Sequence, residues 1–484
     1  MSTNPYFTQL HTQRFSFIGS PQQRDGTDAK DQRFVNLYPE LIKSPISDGK
    51  KYYLKKRPGL ALTTTIPGAS GTVLGFFYWE YNTTYYSVVG STLYAGTTSI
   101  LTGISTSAGT TGFTVFRSDS EDILFFCDGV SGWVITNTNT VIPVTDSNFP
   151  SPHIPTPVFL DGYIFLPKQG TQSIYNSALQ DPLTWPSDGF IDAEMYPDNL
   201  IGLYKVQNYI AAVGSDSIEW FYDNANATGS PLQRNAPAVS QFGSPYAAAT
   251  INQTERELIL VGQTNNGGRT VWTLNGFQPT EIANEPVREA LDLEGASIAG
   301  ASAFTIQSAG HKWYVLNLIG AGRTFVFDFE ENMWHEWTSG LGQQVFGMRF
   351  AADSGNGYPL MMGYGGGLQY IFAPTEYTDA GTTINCQVTT VKLDFDTIMR
   401  KRFFRLSLIC DGPNDDSNVP MNVAWSDDDY NTWVGNLTME VNASYPTVTQ
   451  LGYSRRRAFQ FTFQQPYPLR MESFELDYTQ EVRR

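Results

Sequence analysis

The stretch RTFVFDFEENMWHEWTSG (323–340) sets a histidine beside a glutamate, His335 and Glu336, between Trp334 and Trp337. An imidazole next to a carboxylate can ligate a metal or relay a proton, provided both side chains reach the same space. The same residues also read as a hairpin. Phe325, Phe327 and Phe329 would line one face of its first strand, Glu330-Glu331-Asn332 would turn, and MWHEW would return as the partner strand. Alternation then sends His335 with Met333 and Trp337 to one side, and Glu336 with Trp334 to the other. Groups on opposite faces of a sheet cannot share a metal or a proton. The expectation is therefore an aromatic-rich strand with His335 packed or hydrogen-bonded.

Other chemistry-bearing residues are sparse. The four histidines, His11, His153, His311 and His335, never fall at the i, i+2 or i, i+4 spacing that puts ligands on one face. Cys127, Cys386 and Cys410 are widely separated and form no CxxC pair, so they read as small packed residues. There is no G-x-S-x-G elbow, Walker loop or dinucleotide fingerprint, and the glycine-rich GNGYPLMMGYGGG (355–367) reads as a loop and hairpin turn. SDDDYNTW (426–433) resembles the Asp-box, Ser-x-Asp-x-Gly-x-Thr-Trp, with Ser426, Asp428, Thr432 and Trp433 matching and Tyr430 in place of the glycine. The Asp-box is a structural turn of sialidases and other β proteins. Calcium binding by Asp427, Asp428 and Asp429 would lack the glycine and distal glutamate of an EF-hand. No catalytic residue, cofactor or metal is expected.

The elements that would position these residues are strands. Aromatics make up 14% of the 484 residues and charged residues only 16%, with 43 Gly and 27 Pro punctuating the chain. Such a composition belongs to a β-rich, turn-rich globular protein. No run of about 18 apolar residues suggests a membrane span, and the opening Met-Ser-Thr-Asn-Pro-Tyr does not resemble a signal peptide. The formal net charge of −16 opposes tight wrapping of nucleic acid, which requires Lys and Arg to displace counterions. It does not oppose a wall past which DNA slides.

Between residues 85 and 372 one local pattern returns seven times: a short apolar strand, a Gly- or Asp-containing turn, and a second apolar or aromatic strand. The hairpins span 85–96, 122–136, 162–177, 208–223, 257–276, 312–330 and 360–372. A recurrence of about 40 to 50 residues with several strands per repeat predicts a β-propeller of six or seven blades. An irregular series of β-sandwiches is the alternative. One helix is expected in NEPVREALDLEG (284–295), capped by Asn284, with Val287, Ala290 and Leu291 on its apolar face. After residue 372 longer alternating strands predict a second, C-terminal β domain. The expected organisation is an all-β chain with an N-terminal segment, 1–60, containing a possible blade-closing strand and adaptor or ring contacts, a propeller, 61–372, and a β-rich domain, 373–484.

Basic residues cluster with aromatics at GKKYYLKKRPGL (49–60), RKRFFRL (400–406) and YSRRRAF (453–459). Either their stems cover aromatic surface, or they contact DNA phosphates or an acidic partner.

Specific stretches carry a family likeness. QRFVNLYPE (32–40), KKRPGL (55–60), LDGYIFLP (160–167), PDNLIGLYKVQNYIAAVGSDSIEWFY (197–222), NGFQPTEIANEPVREAL (275–291) and GHKWYVLNL (310–318) occur in the order seen in the packaged-DNA stabilisation proteins of short-tailed bacteriophages, which the chain resembles. MWHEW and AWSDDDYNTW continue the likeness. The resemblance implies a non-enzymatic virion tail protein, assembled in the host bacterial cytoplasm. It would form a tail hub or nozzle, a six-fold homo-oligomeric ring below the portal and its adaptor that extends the DNA channel. It would retain the packaged double-stranded DNA until ejection and dock the tail needle and tailspikes or tail fibres. On that premise Lys55, Lys56, Arg57, Arg400, Lys401 and Arg402 are the candidates for DNA-channel or partner contact. The rival from another class is a glycan-binding or glycan-cleaving propeller, suggested by the Asp-box-like turn and surface aromatics.

Overall fold

In the computed structural model, residues 9–18, 32–42, 51–118, 121–245, 250–253, 257–263, 267–339, 345–413 and 418–481 are described. The opening Met1 to Tyr6, Gly49 and Lys50 of the first basic stretch, the tip of the 257–276 hairpin and Gly340 lie outside them.

Seven four-stranded antiparallel meanders follow one another along the chain: blade one 73–102, blade two 112–143, blade three 158–192, blade four 200–234, blade five 252–281, blade six 302–337 and blade seven 348–373. Blade seven draws only three strands from its own stretch. Its fourth strand is Gly59–Thr65, paired antiparallel with Leu368–Ala373. The first strands of successive blades touch in a closed cycle, with blade seven returning to blade one. This is a seven-bladed β-propeller closed by an N-terminal strand, which leaves no gap in the ring of sheets. Each of the seven hairpins expected from sequence is the middle hairpin of one blade.

Burial explains why the blades hold together. The propeller's buried apolar residues form seven clusters, one at each interface between neighbouring blades. Phe125, Val134, Ile164 and Leu166 meet between blades two and three. Trp313, Val326, Trp337, Met361 and Phe372 meet between six and seven, and Val73, Phe76, Val89 and Met362 between seven and one. A blade therefore buries both faces, and its strands read as nearly continuous apolar runs such as Asp122–Cys127 and Glu257–Gln263. The expected helix forms at Glu285–Glu294 between blades five and six. The Asn284 side chain accepts from the Val287 amide, and Val287, Ala290 and Leu291 are buried.

An eighth cluster is the core of a β-sandwich built from both ends of the chain. One sheet runs Leu37–Ile42, Lys51–Lys56, Arg470–Gln480, Lys401–Asp411, Thr447–Ser454, with His11–Ser16 also paired to Arg470–Gln480. The other runs Arg33–Val35, Cys386–Thr389, Ala458–Phe463, Pro420–Ser426, Val434–Glu440. The N-terminal strands thus lie within the sandwich, and the expected boundary at residue 60 falls inside the strand that closes the propeller. The second sheet continues into blade six through a parallel bridge from Val35 to Glu336.

Candidate functional site

The strand that carries the histidine and glutamate, Met333–Trp337, is the outer strand of blade six and the one that joins the sandwich. Its faces separate as alternation requires. Trp334 packs with Phe325 and Phe327 toward blade five, whereas Trp337 packs toward blade seven, with the His335 ring 5.8 Å from its own. Among the described residues neither ring nitrogen of His335 has a hydrogen-bond partner. Burial pushes its pKa down to about 4, so the ring is a neutral core group at physiological pH.

Glu336 is committed elsewhere. Its Oε1 accepts from Arg33 Nε (2.9 Å) and Arg323 Nη2 (2.7 Å), and its Oε2 from Arg33 Nη2 (2.7 Å) and Arg323 Nε (3.0 Å). Burial alone would raise its pKa, but the bonds and charges of the two arginines outweigh that and hold it below the ordinary carboxylate value. One arginine comes from the sandwich and the other from blade six, so the carboxylate fastens the two bodies.

The six basic candidates divide by the alternation of their strands. Arg57 is wholly buried and all five guanidinium N–H groups are used. They reach Asn36 Oδ1 (2.8 Å), the carbonyls of Pro58 (2.8 Å) and Thr338 (2.8 Å), and both carboxylate oxygens of Asp379 (3.0 and 2.5 Å). Lys56 is buried and donates to the carbonyls of Gln465 (2.7 Å) and Tyr467 (3.3 Å). Lys401 is buried and donates to those of Thr397 (2.5 Å) and Arg455 (2.7 Å). These three hold the chain together and present no open surface to a phosphate. Lys55 is half-exposed beside Glu40 (3.4 Å). Arg400 and Arg402 are exposed, 4.7 and 5.4 Å from the centroid of Tyr453, and neither makes an ion pair among the described residues. Arg402 and Tyr453 are register partners on adjacent strands, so this cationic face with its aromatic centre is fixed by backbone pairing.

The turn after Pro420–Ser426 has the hydrogen bonding of the Asp-box. Asp428 Oδ1 accepts from Ser426 Oγ (2.9 Å) and the Thr432 amide (2.9 Å), and Ser426 Oγ accepts from the Tyr430 amide (3.0 Å). Tyr430, at the position of the missing glycine, has φ 66°, the left-handed conformation glycine would adopt freely. The three aspartates do not converge. Asp427 takes a fork from Arg457, Asp429 pairs with Lys392, and Asp428 closes the turn. Among the described residues no group of three or more His, Cys, Asp or Glu could hold a metal ion.

Sequence reasoning missed a second polar centre. Asp328, fully buried, accepts from His311 Nδ1 (2.7 Å) and Trp313 Nε1 (3.0 Å) through Oδ2, and from the Glu330 amide (3.0 Å) through Oδ1. Burial lowers the His311 pKa, but the Asp328 bond and charge outweigh it and leave it raised. The His311 ring lies parallel to Trp313 at 5.4 Å. The available signal was the i, i+2 pair on one strand, His311 and Trp313, with Asp328 opposite Trp313 in the hairpin register.

A family model described as Bacteriophage P22 Gp10, beta-propeller, matches residues 16–356. That range takes in the N-terminal strands from residue 16, blades one to six and the first strand of blade seven. No curated protein matches the sequence. Solved structures with a similar course include the β-propeller domain of Myceliophteria_thermophila Cps50 (Swd1), 11% identical, covering 65% of this chain and 100% of that one, TM-score 0.41. YCF48 bound to D1 peptide is 10% identical and covers 66% and 99%, TM-score 0.40. Virginiamycin B lyase from Staphylococcus aureus is 10% identical and covers 75% and 99%, TM-score 0.37.

Proposed function

The chain belongs to the phage-stabilisation family described as Bacteriophage P22 Gp10, beta-propeller, and from that premise we propose that it is the structural, non-enzymatic hub of a virion tail. In this reading six copies form a ring below the portal and adaptor, continue the DNA channel, retain the packaged genome and dock the tail needle and tailspikes. The observation that carries it is the family match, which extends across blades one to six, the first strand of blade seven and the N-terminal strands that join the propeller to the sandwich.

The physical chemistry supports the same role. A propeller has only short, protected edges, and the forks on Glu336 and Asp379 tie it to the sandwich, which gives a subunit suited to bearing load. A net charge of −16 per copy favours a channel wall that DNA slides along. The grip on DNA or on a partner then falls to cations that remain exposed: Arg400 and Arg402 beside Tyr453, and Lys55. The test mixes the purified protein with the portal and adaptor of its own phage and images the product. A six-fold ring at the adaptor is expected, and a monomer that ignores the adaptor overturns the proposal.

A further inference from the structure

Exposed arginines around the strand Arg470–Gln480 are matched by carboxylates: Arg14 by Glu475, Arg405 by Asp477 and Arg470 by Asp411. One corner of the same sheet breaks that rule. Arg400, Arg402 and Arg455 are exposed there and make no ion pair among the described residues. Arg400 and Arg402 approach the half-exposed Tyr453 ring, and Arg455 Nη1 donates to the Ile398 carbonyl (2.9 Å), so the three gather beside Ile398, which is 76% exposed. Asp429 is shared by Lys392 and Arg456, and Asp394 and Asp396 of the preceding loop leave cations in excess.

A second face has the opposite sign. The helix Glu285–Glu294 buries Val287, Ala290 and Leu291 and exposes Glu285, Glu289, Asp292 and Leu293, whose spacings of three and four place them together. Arg288 is engaged with Glu281 and Glu285, whereas Glu289 and Asp292 have no ion pair among the described residues. Leu293 is 76% exposed, and among the described residues no aliphatic side chain exceeds it and Ile398. Each face is thus a bare aliphatic residue flanked by unpaired charge, and the signs are complementary.

Contact between the faces would relieve both costs, apolar exposure and like-charge repulsion. Within one chain the helix packs on blades five and six while the corner belongs to the sandwich, so the contact forms between copies. Copies of net charge −16 repel one another and need such a local attraction to stay together. A DNA backbone would pair the arginines but leave Ile398 bare, whereas arginine and tyrosine around an apolar centre is the composition of a protein interface. We propose that the helix Glu285–Glu294 of one copy docks on the Arg400, Arg402 and Tyr453 corner of the next, with Leu293 against Ile398. Two different faces make this contact heterologous, the kind that closes into rings. The inference rests on the ring proposed above and places this corner in the seam between copies, not in the DNA channel.

The test is disulfide capture between two full-length variants, Leu293→Cys and Ile398→Cys, oxidised as a mixture in solution and on the portal and adaptor. The native thiols are buried or half-buried. A covalent dimer is expected from the mixture and from neither variant alone, and the chain with both substitutions should give a ladder of multimers. Arg400→Glu with Arg402→Glu in the Ile398→Cys chain should cut the yield about tenfold, and Glu289→Arg with Asp292→Arg in its partner should restore it. These side chains are exposed, so circular dichroism should stay unchanged. No dimer from the mixture, equal capture in the single variants, or no rescue by the reversed charges overturns the proposal. Arginine variants that still assemble fully but lose DNA retention assign the corner to DNA and overturn it too. A six-fold ring imaged on the adaptor without capture removes this seam alone, and the tail-hub reading stands; a monomer that ignores the adaptor overturns the ring itself.

Discussion

Substituting Arg57 tests the physical core of the architecture. Its guanidinium connects four segments: Asn36 of the sandwich, Thr338 beyond blade six, Pro58 at the start of the closing strand, and Asp379 beside that strand. It also lies 4.8 Å from the centroid of Phe346 and 5.8 Å from that of Trp337. In Arg57→Ala, Asp379 keeps its charge in a buried site without its counter-ion. Removing one member of a buried pair costs about 3–5 kcal/mol. The carbonyls of Pro58 and Thr338 lose their donors as well, a penalty of roughly 1 kcal/mol each that water entering the vacated space offsets in part. A total near 5 kcal/mol is expected. Arg57→Lys retains the charge but offers three donors in place of five and cannot fork, so about half of that loss should remain.

A charge-free pair separates this mechanism from simple loss of packing. Arg57→Met combined with Asp379→Leu removes both ions and should lie about 2–3 kcal/mol above the sum of its single variants. The assay is urea unfolding followed by tryptophan emission, because Trp337 borders the guanidinium. A loss under about 1 kcal/mol in Arg57→Ala, or strict additivity in the double variant, would refute the reasoning.

Four further outcomes follow from the same region and from the sandwich turn. His335 has a folded pKa below the ordinary histidine value, so the unfolded chain binds the proton first as pH falls. Stability should decline between pH 6.5 and about 4, by up to about 3 kcal/mol, and His335→Leu should abolish that part of the decline in pH-dependent melting. His311 acts in the opposite sense: its raised pKa gives stability that is full below the ordinary value and lost as pH rises through the folded one. Glu336→Gln should cost about 2–3 kcal/mol at neutral pH. Because the Glu336 pKa is depressed, the difference from the parent should shrink progressively as pH falls from the ordinary glutamate value through the lowered one, and a constant difference across the acid range would count against the two-arginine clamp. Asp428→Ala should speed amide exchange at Thr432, whose amide it accepts, and at Tyr430 through the loss of its bond to Ser426 Oγ, without changing the global melting point, since its bonds stay within one turn; a drop in that melting point would contradict a purely local role.

The hairpins were legible in the sequence because each is local: strand, glycine or aspartate turn, strand. The count of seven blades was not, since blade seven is completed by Gly59–Thr65, about three hundred residues before its partner Leu368–Ala373. Outer strands such as Val141–Pro143 and Phe190–Asp192, three residues each, are too short to show a period. Alternation correctly separated His335 from Glu336, yet nothing local could reveal that Arg33 closes on Glu336 from 303 positions away. The basic runs carried more information than clustering alone. In KYYLKK and RKR the period of two already divides them, with Lys55, Arg400 and Arg402 outward and Lys56 and Lys401 inward, as the burial pattern of Lys51–Lys56 records. Cationic clustering identified the region, and strand phase determined which members meet solvent.

The path of the chain explains why one arginine can matter to two bodies. The strand Lys51–Lys56 belongs to the sandwich, and three residues later Gly59–Thr65 closes the propeller. Between them sits Arg57, and at Gly59 a side chain would strike the Thr378 carbonyl, so the passage admits only glycine. The second link is the bridge from Val35 to Glu336 in blade six, the neighbour of blade seven. Two links at adjacent blades, sharing the contacts of Asn36 with Arg57 and Thr338, resist rotation better than a single tether would. Closing the ring and fixing the sandwich are therefore one event: blade seven cannot open without drawing Gly59–Thr65 away, and that movement strains the Arg57 bonds that hold the sandwich.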